Sequence, residues 1–233
     1  MIVGVLHAPG GWLVAKANWT NLKITQLSLD LWGHVDGVIQ NAIPDETVIV
    51  AHPLSLPDDK DQSPRPCDKW AKRQLLTRSN SIIKAPLRNW LRATDYDQVK
   101  SKGVNKELYG LFPFYKQLDD LSQEAKTNWH ESHPELIFNQ LDPQAILKGK
   151  KKPAGIAQRL DLLSQSGYFY PEELEPFLEK AEEHYGKMLA GPESILECLS
   201  LLIPAAHIRN NTAKYHPKSA PSDSQNRPFQ MVL

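Results

Sequence analysis

The chain has little cysteine, no excess of charge and no long apolar run, and each absence removes a class of protein. Two cysteines in 233 residues, Cys67 and Cys198, are too few for a secreted disulfide scaffold and read as free thiols of a reducing compartment. Lys and Arg number 27 and Asp and Glu number 27, so no global field draws the protein to nucleic acid or to an acidic membrane, while a local basic patch stays open. The longest apolar stretch, residues 195–208, is interrupted by Glu197, Pro204 and His207 and is too short to span a bilayer. The N-terminus shows no basic region followed by an apolar core and a small-residue cleavage site. The expectation is a soluble, cytoplasmic protein with no membrane partner. Its length suits one large domain, able to bury roughly 70–75% of its unfolded surface without disulfide or metal staples.

What is present is a β-rich opening followed by helices. Residues 2–6, 12–17 and 23–29 read as strands. Ala8-Pro9-Gly10-Gly11 and Thr20-Asn21 supply the turns between them, which predicts an antiparallel three-strand meander. A helix is predicted over 30–41 with Asp30 as its N-cap. The continuous apolar run 47–51 suits a strand buried on both faces and paired parallel to the first. Residues 56–66 carry Pro57, Pro64 and Pro66 and form a loop. Helices are predicted over 66–76, 85–93, 154–164, 171–189 and 193–203, with a strand entering a short element over 129–141 and a basic loop over 148–152. From residue 209 the chain is polar and rich in Pro and Ser, which predicts a poorly ordered or surface-draped tail after a domain of residues 1–208. The fold class is α/β: a mixed sheet, meander plus parallel strands, flanked by helices. An RNase H-like fold is one of several with this order of elements.

Several residues carry chemistry. His7 and His52 end two strands expected to be neighbours; they are either an imidazole pair for a transition metal or a phosphate, or two unrelated histidines. Glu131, His133 and Glu135 alternate along an extended segment and would share one face, as half of an acid site or as a structural network. Residues 65–92 hold eight basic residues against Asp68 alone. Lys69, Lys72 and Arg73 fall on one helical face, a phosphate-tracking patch or a solvated surface. Asp68 reads equally as a partner for Arg65 or Lys72. Cys67 reads as a small buried thiol and Gly10-Gly11 as a hairpin turn.

Longer words add a resemblance. Val3-Gly4-Val5 with Pro9-Gly10-Gly11-Trp12, then Ala51-His52-Pro53-Leu54-Ser55-Leu56-Pro57, Arg65-Pro66-Cys67-Asp68, Arg78-Ser79 with Ala85-Pro86 and Arg88, Glu131-Ser132-His133-Pro134-Glu135, and Lys151-Lys152 with Gly155 and Arg159-Leu160 occur in that order over roughly residues 2–205. Together they resemble a family of predicted RNase H-like nucleases, the domain of unknown function numbered four-two-nine. The resemblance implies an RNase H-like fold and a carboxylate cluster holding two divalent ions about 4 Å apart. It also locates departures. Leu6 stands where the family has its first-strand Asp, Ala51 stands where it has its second, and the helical acids near the C-terminus are represented by Glu193 and Glu197. With these departures the resemblance implies a degenerate metal centre, no required cofactor, and a binding module for nucleic acid or a protein partner. Its binding residues would be Arg65, Asp68, Lys69, Lys72, Arg73, His133, Lys151, Lys152 and Arg159. The alternative is a nuclease or phosphohydrolase using Mg²⁺ or Mn²⁺ at a relocated centre of Glu131, Glu135 and Glu197, helped by Glu193, His7 or His52.

Overall fold

The computed structural model describes residues 1–41, 45–121 and 128–233. Strands β1 (Ile2–Ala8), β2 (Gly11–Thr20) and β3 (Lys23–Trp32) form the predicted antiparallel meander. Gly11 closes the first hairpin at φ +128°, and a Cβ there would lie 2.3 Å from the Trp32 carbonyl, so the turn requires glycine. The β2–β3 ladder runs on to the pair Trp12–Trp32. It draws Asp30 into the sheet opposite Val14, which corrects the predicted helix start. The helix α1 is only Val35–Gln40, and its N-cap is His34, whose Nδ1 accepts from the Asp36 N–H. Strand β4 (Thr47–Val50) pairs parallel with β1, as expected, and β5 (Trp129–Glu131) pairs parallel with β4. The sheet order is β3-β2-β1-β4-β5.

Period-two alternation sorts the strands onto two cores. Ile2, Leu6, Leu13, Ala15 and Ile49 face the larger apolar cluster, and Val3, Val5, Trp12, Val14, Val48 and Val50 face the smaller. Helix α2 is Pro66–Leu75. The predicted helix over 85–93 is instead a single 3-10 turn, Arg88–Arg92, because Pro86 has no N–H to donate and pushes Ala85 away from helical geometry. Short helices α3 (Asp97–Lys100) and α4 (Lys106–Gly110) lead to α5 (Phe112–Asp120), which tolerates Pro113 because it sits in the first turn. After β5 come α6 (Pro134–Leu141), α7 (Pro153–Gln165) and α8 (Pro171–Leu189). The last predicted helix is two, α9 (Pro192–Ser200) and α10 (Leu202–Arg209); Pro204 cannot donate to Ser200, which breaks the ladder there. Helices α9 and α10 lie against β1. They approach that closely because residue 4 is glycine: a Cβ there would meet the Cys198 carbonyl at 2.6 Å. Among the described residues no single helix is long and apolar enough to cross a membrane.

The last segment, expected to be poorly ordered or draped over the surface, contributes buried side chains and pairs of its own. Strands β6 (Tyr215–His216) and β7 (Met231–Val232) pair with each other, and Phe229 and Val232 are fully buried. The Ser132 hydroxyl, just past β5, donates to the Val232 carbonyl at 2.7 Å. Arg88 and Arg227 pin the segment through Asp58, Asp119 and Asp223. Its average composition is polar, but its few apolar side chains fall where β5 would otherwise leave an open edge.

Candidate functional site

The carboxyl ends of β1 and β4 open into a cleft of about 620 Å³. Strand β1 delivers Leu6 and His7, and the turn after β4 delivers Ala51 and His52. Strand β5 and the start of α6 bring Glu131, His133 and Glu135, and α9 brings Glu193 and Glu197. The close packing at Gly4 is what carries the first turns of α9 over the end of the sheet.

Three ion networks lie in and beneath this cleft. Arg65, 1% exposed, lies between two carboxylates. Its Nη2 donates to Asp68 Oδ1 and Glu131 Oε1 at 2.6 Å each, its Nη1 to Glu131 Oε2 at 2.8 Å and to the Ser55 carbonyl at 2.9 Å, and its Nε to Asp68 Oδ2 at 3.1 Å. Burial raises the Glu131 carboxyl above its ordinary range, and the guanidinium partly offsets that rise. In the second network Glu135 Oε1 accepts from Arg159 Nη2 at 2.5 Å and Oε2 from Arg78 Nη2 at 3.3 Å. Arg159 also donates to the carbonyls of Lys148 and Gly155. Gly155 admits the Gly149 carbonyl, which would lie 2.1 Å from a Cβ, so the basic loop folds onto the start of α7. That fold places Lys150 in the third network, where its Nζ meets Glu197 at 2.8 and 2.9 Å. Burial raises the Glu197 carboxyl as well, against the pull of Lys150.

Burial disfavours the charged form of the cleft histidines. The His7 and His52 rings are 5.2 Å apart, so the predicted adjacency holds, and they sit among Phe114, Trp12 and Tyr115. Burial lowers the pKa of both; Lys150 lowers His7 further, and His7 and His133 lower His52 further. His52 Nε2 is buried without a hydrogen-bond partner. His133 corrects the expectation of one extended acid face. The strand ends at Glu131, and His133 is the N-cap of α6, its Nδ1 accepting from the Glu135 N–H at 3.2 Å. That leaves Nε2 to carry the proton and donate to the Ser81 carbonyl at 3.1 Å. Burial, the largest cause, pushes its pKa down to about 4.

The cleft thus gathers most of the sequence candidates: His7, His52, Arg65, Asp68, Glu131, His133, Glu135, Lys151, Glu193 and Glu197. Lys69 and Arg73 are exposed and Lys72 half-buried on the outer side of α2, Lys152 is exposed at the start of α7, and Arg159 is fully buried behind Glu135. Among the described residues, Cys67, Asp68 and Glu131 are the only three histidine, cysteine or acidic side chains whose ligand atoms lie within 4.8 Å of one another. They do not fit a divalent ion, because the Arg65 guanidinium already engages both carboxylates and burial pushes the Cys67 thiol up. Glu193 has no basic partner among the described residues. The role of Lys150 was not legible, since nothing marks it out within the run of lysines at 148 and 150–152. The Arg88–Asp223–Arg227 network was missed too, because its members are distant in sequence and Asp223 lies in a stretch that reads as tail.

The chain matches the family described as a protein of unknown function, DUF429, over residues 4–222, and it belongs to that family. No curated protein and no solved structure matches it significantly.

Proposed function

We propose that the chain is an RNase H-like domain with a degenerate metal centre, which binds nucleic acid across its cleft instead of cutting it. The observation that carries this reading is that the chain's own cations hold the cleft carboxylates: Arg65 on Asp68 and Glu131, Arg159 and Arg78 on Glu135, Lys150 on Glu197. A two-metal centre needs hard oxygens free to ligate. Leu6 and Ala51, at the positions where the family resemblance expects aspartates, have none to offer. The order β3-β2-β1-β4-β5, antiparallel in its first part and parallel in its second, supports the RNase H-like assignment.

Nucleic acid is the partner that the basic residues favour: Lys151 lines the cleft, and Lys69, Lys72, Arg73 and Lys152 lie outside it, where a strand leaving the cleft would meet them. Glu135 ties Arg78, which lies beyond the end of α2, to Arg159 of α7. The cations of α2 (Lys69, Lys72, Arg73) and of the loop before α7 (Lys151, Lys152) therefore belong to segments joined on either side of the start of α6. Phosphates tracking these cations would give binding that weakens steeply with salt. Fluorescence anisotropy with a single-stranded RNA and a single-stranded DNA oligonucleotide, titrated across ionic strength, tests this. The expected result is a steep negative slope that becomes shallower when Lys151 and Lys152 are replaced by Ala, with no cleavage when Mn²⁺ is added. Absent or salt-independent binding would retire the nucleic-acid reading in favour of a protein partner.

The relocated metal centre keeps one specific support. Glu193 and Glu197 are one turn apart on α9, and both line the cleft. A divalent ion there would have to displace Lys150. Calorimetric Mn²⁺ binding tighter than millimolar, with cleavage lost in both Glu193→Gln and Glu197→Gln, would establish that reading.

A further inference from the structure

Helix α2 and the C-terminal segment meet at a pair of stacked rings outside the cleft. Trp70 of α2 and His216 of β6 lie with centroids 4.1 Å apart and planes only 2° apart. Trp70 packs against the larger core, and both rings are half-buried. With one face of His216 against Trp70, the accessible part of the imidazole is its other face and its edge.

Exposed cations frame the stack from both segments. On α2, Lys69 precedes Trp70 and Arg73 follows it by about one helical turn. In the C-terminal segment Lys214 and Lys218 flank His216. All four are exposed, and none is in an ion pair among the described residues. Burial lowers the His216 pKa, and Lys214 and Lys218 lower it further, so both ammonium groups lie close to the ring. Residues 69–78 and 211–220 contain no acid. A parallel ring stack continues onto a planar base, and flanking cations take the phosphates beside it; single strands are held this way without sequence readout. A duplex keeps its base faces stacked on one another and offers none to the rings. An acidic peptide would satisfy the cations and leave the stack unused.

We propose that the Trp70–His216 stack, with Lys69, Arg73, Lys214 and Lys218, is a second contact surface that takes one base and the adjoining phosphates of a single-stranded nucleic acid. It rests on the reading that the chain binds nucleic acid, and not on the cleft being where it does so. The probes are a ten-nucleotide thymidine oligomer and an abasic oligomer of the same charge, titrated into protein labelled with 5-fluorotryptophan. Fluorine NMR follows Trp70, whose resonance is assigned from Trp70→Phe. The expected result is a saturable Trp70 shift with the thymidine oligomer and weaker binding of the abasic one. His216→Ala should weaken the thymidine oligomer roughly fivefold or more, the low end of what one stacked base contributes, and leave abasic binding unchanged. Lys214→Ala combined with Lys218→Ala changes only exposed side chains, should weaken both oligomers and flatten the salt dependence, and carries the test if thermal melting shows that His216→Ala does not fold. An unshifted Trp70, equal affinity for the two oligomers, parent affinity in His216→Ala or in the double lysine variant, or equally tight binding of polyglutamate, which would assign the surface to an acidic protein, would each overturn the proposal. The cleft is read separately. A Trp70 shift at parent affinity when Lys151 and Lys152 are both Ala retires the cleft and keeps this surface, whereas binding that needs Lys151 and Lys152 and leaves Trp70 unshifted does the reverse.

Discussion

The Lys150 ammonium lies 2.8 and 2.9 Å from the two carboxylate oxygens of Glu197, so the most buried acid of α9 faces a cation that the chain supplies from a loop 47 residues away. The loop is held in turn by Arg159, which bonds the Lys148 carbonyl while it neutralises Glu135. One buried guanidinium therefore sets both the acid at the start of α6 and the lysine opposite α9.

Lys150→Met tests whether that cation guards the cleft. The Lys150 side chain is 42% exposed, so solvent screening keeps the stability loss to about 1 kcal/mol or less in urea unfolding. The Glu197 carboxyl, already raised by burial, moves further up. Mn²⁺ uptake measured by calorimetry should be tighter in the variant than in the parent, because Glu197 then becomes available beside Glu193. Equal uptake would mean that Lys150 does not control access.

Arg65→Met strands Asp68 and Glu131 as buried, uncompensated charges, and should cost about 3–5 kcal/mol in urea unfolding. Glu131→Gln leaves Arg65 its partner Asp68 and should cost clearly less. If Glu131 were instead a free catalytic acid, Glu131→Gln would remain as stable as the parent, while Arg65→Met would still lose the buried pair with Asp68.

His133 makes stability depend on pH in a defined window. Its folded pKa of about 4 lies below the ordinary value of 6.5. Between these values the unfolded chain binds a proton that the folded chain refuses, so this group's contribution is complete above pH 6.5 and is lost as the pH falls toward 4. His133→Asn keeps a side-chain acceptor for the Glu135 N–H and removes the titration. Denaturant unfolding at a series of pH values should show a slope smaller by up to about 1.4 kcal/mol per pH unit in that window. Glu131 and Glu197, whose carboxyls burial raises, act in the opposite direction but are common to both proteins. Identical slopes would show that His133 does not titrate as its burial requires.

Phe229→Ala removes a fully buried ring from the C-terminal segment and should cost about 3–5 kcal/mol in chemical denaturation. A loss within about 0.5 kcal/mol, as at an ordinary surface position, would return this segment to the status of a loose tail.

The meander, the parallel central strand and the long helices α7 and α8 were legible because alternation and helical spacing are local signals. Asp30 was not: its cap chemistry was sound, but the β2–β3 ladder outcompeted it by pairing through to Trp12 and Trp32. The packing of the C-terminal segment was not legible because mean composition hides position, and its buried residues Phe229, Met231 and Val232 are few. Of the residues singled out in the sequence, Arg65, Glu131 and Glu135 line the cleft and Arg159 lies behind Glu135, and all four are members of buried ion pairs.

The sequence by itself determined which residues alternate along the strands and where proline and glycine interrupt the helices. Only the tertiary structure decided which charges meet. Arg65 and Glu131 are 66 residues apart, Lys150 and Glu197 are 47 apart, and Arg227 and Asp119 are 108 apart. Backbone periodicity acts over a few residues, whereas a buried charge takes whichever partner the folded chain brings within hydrogen-bond reach.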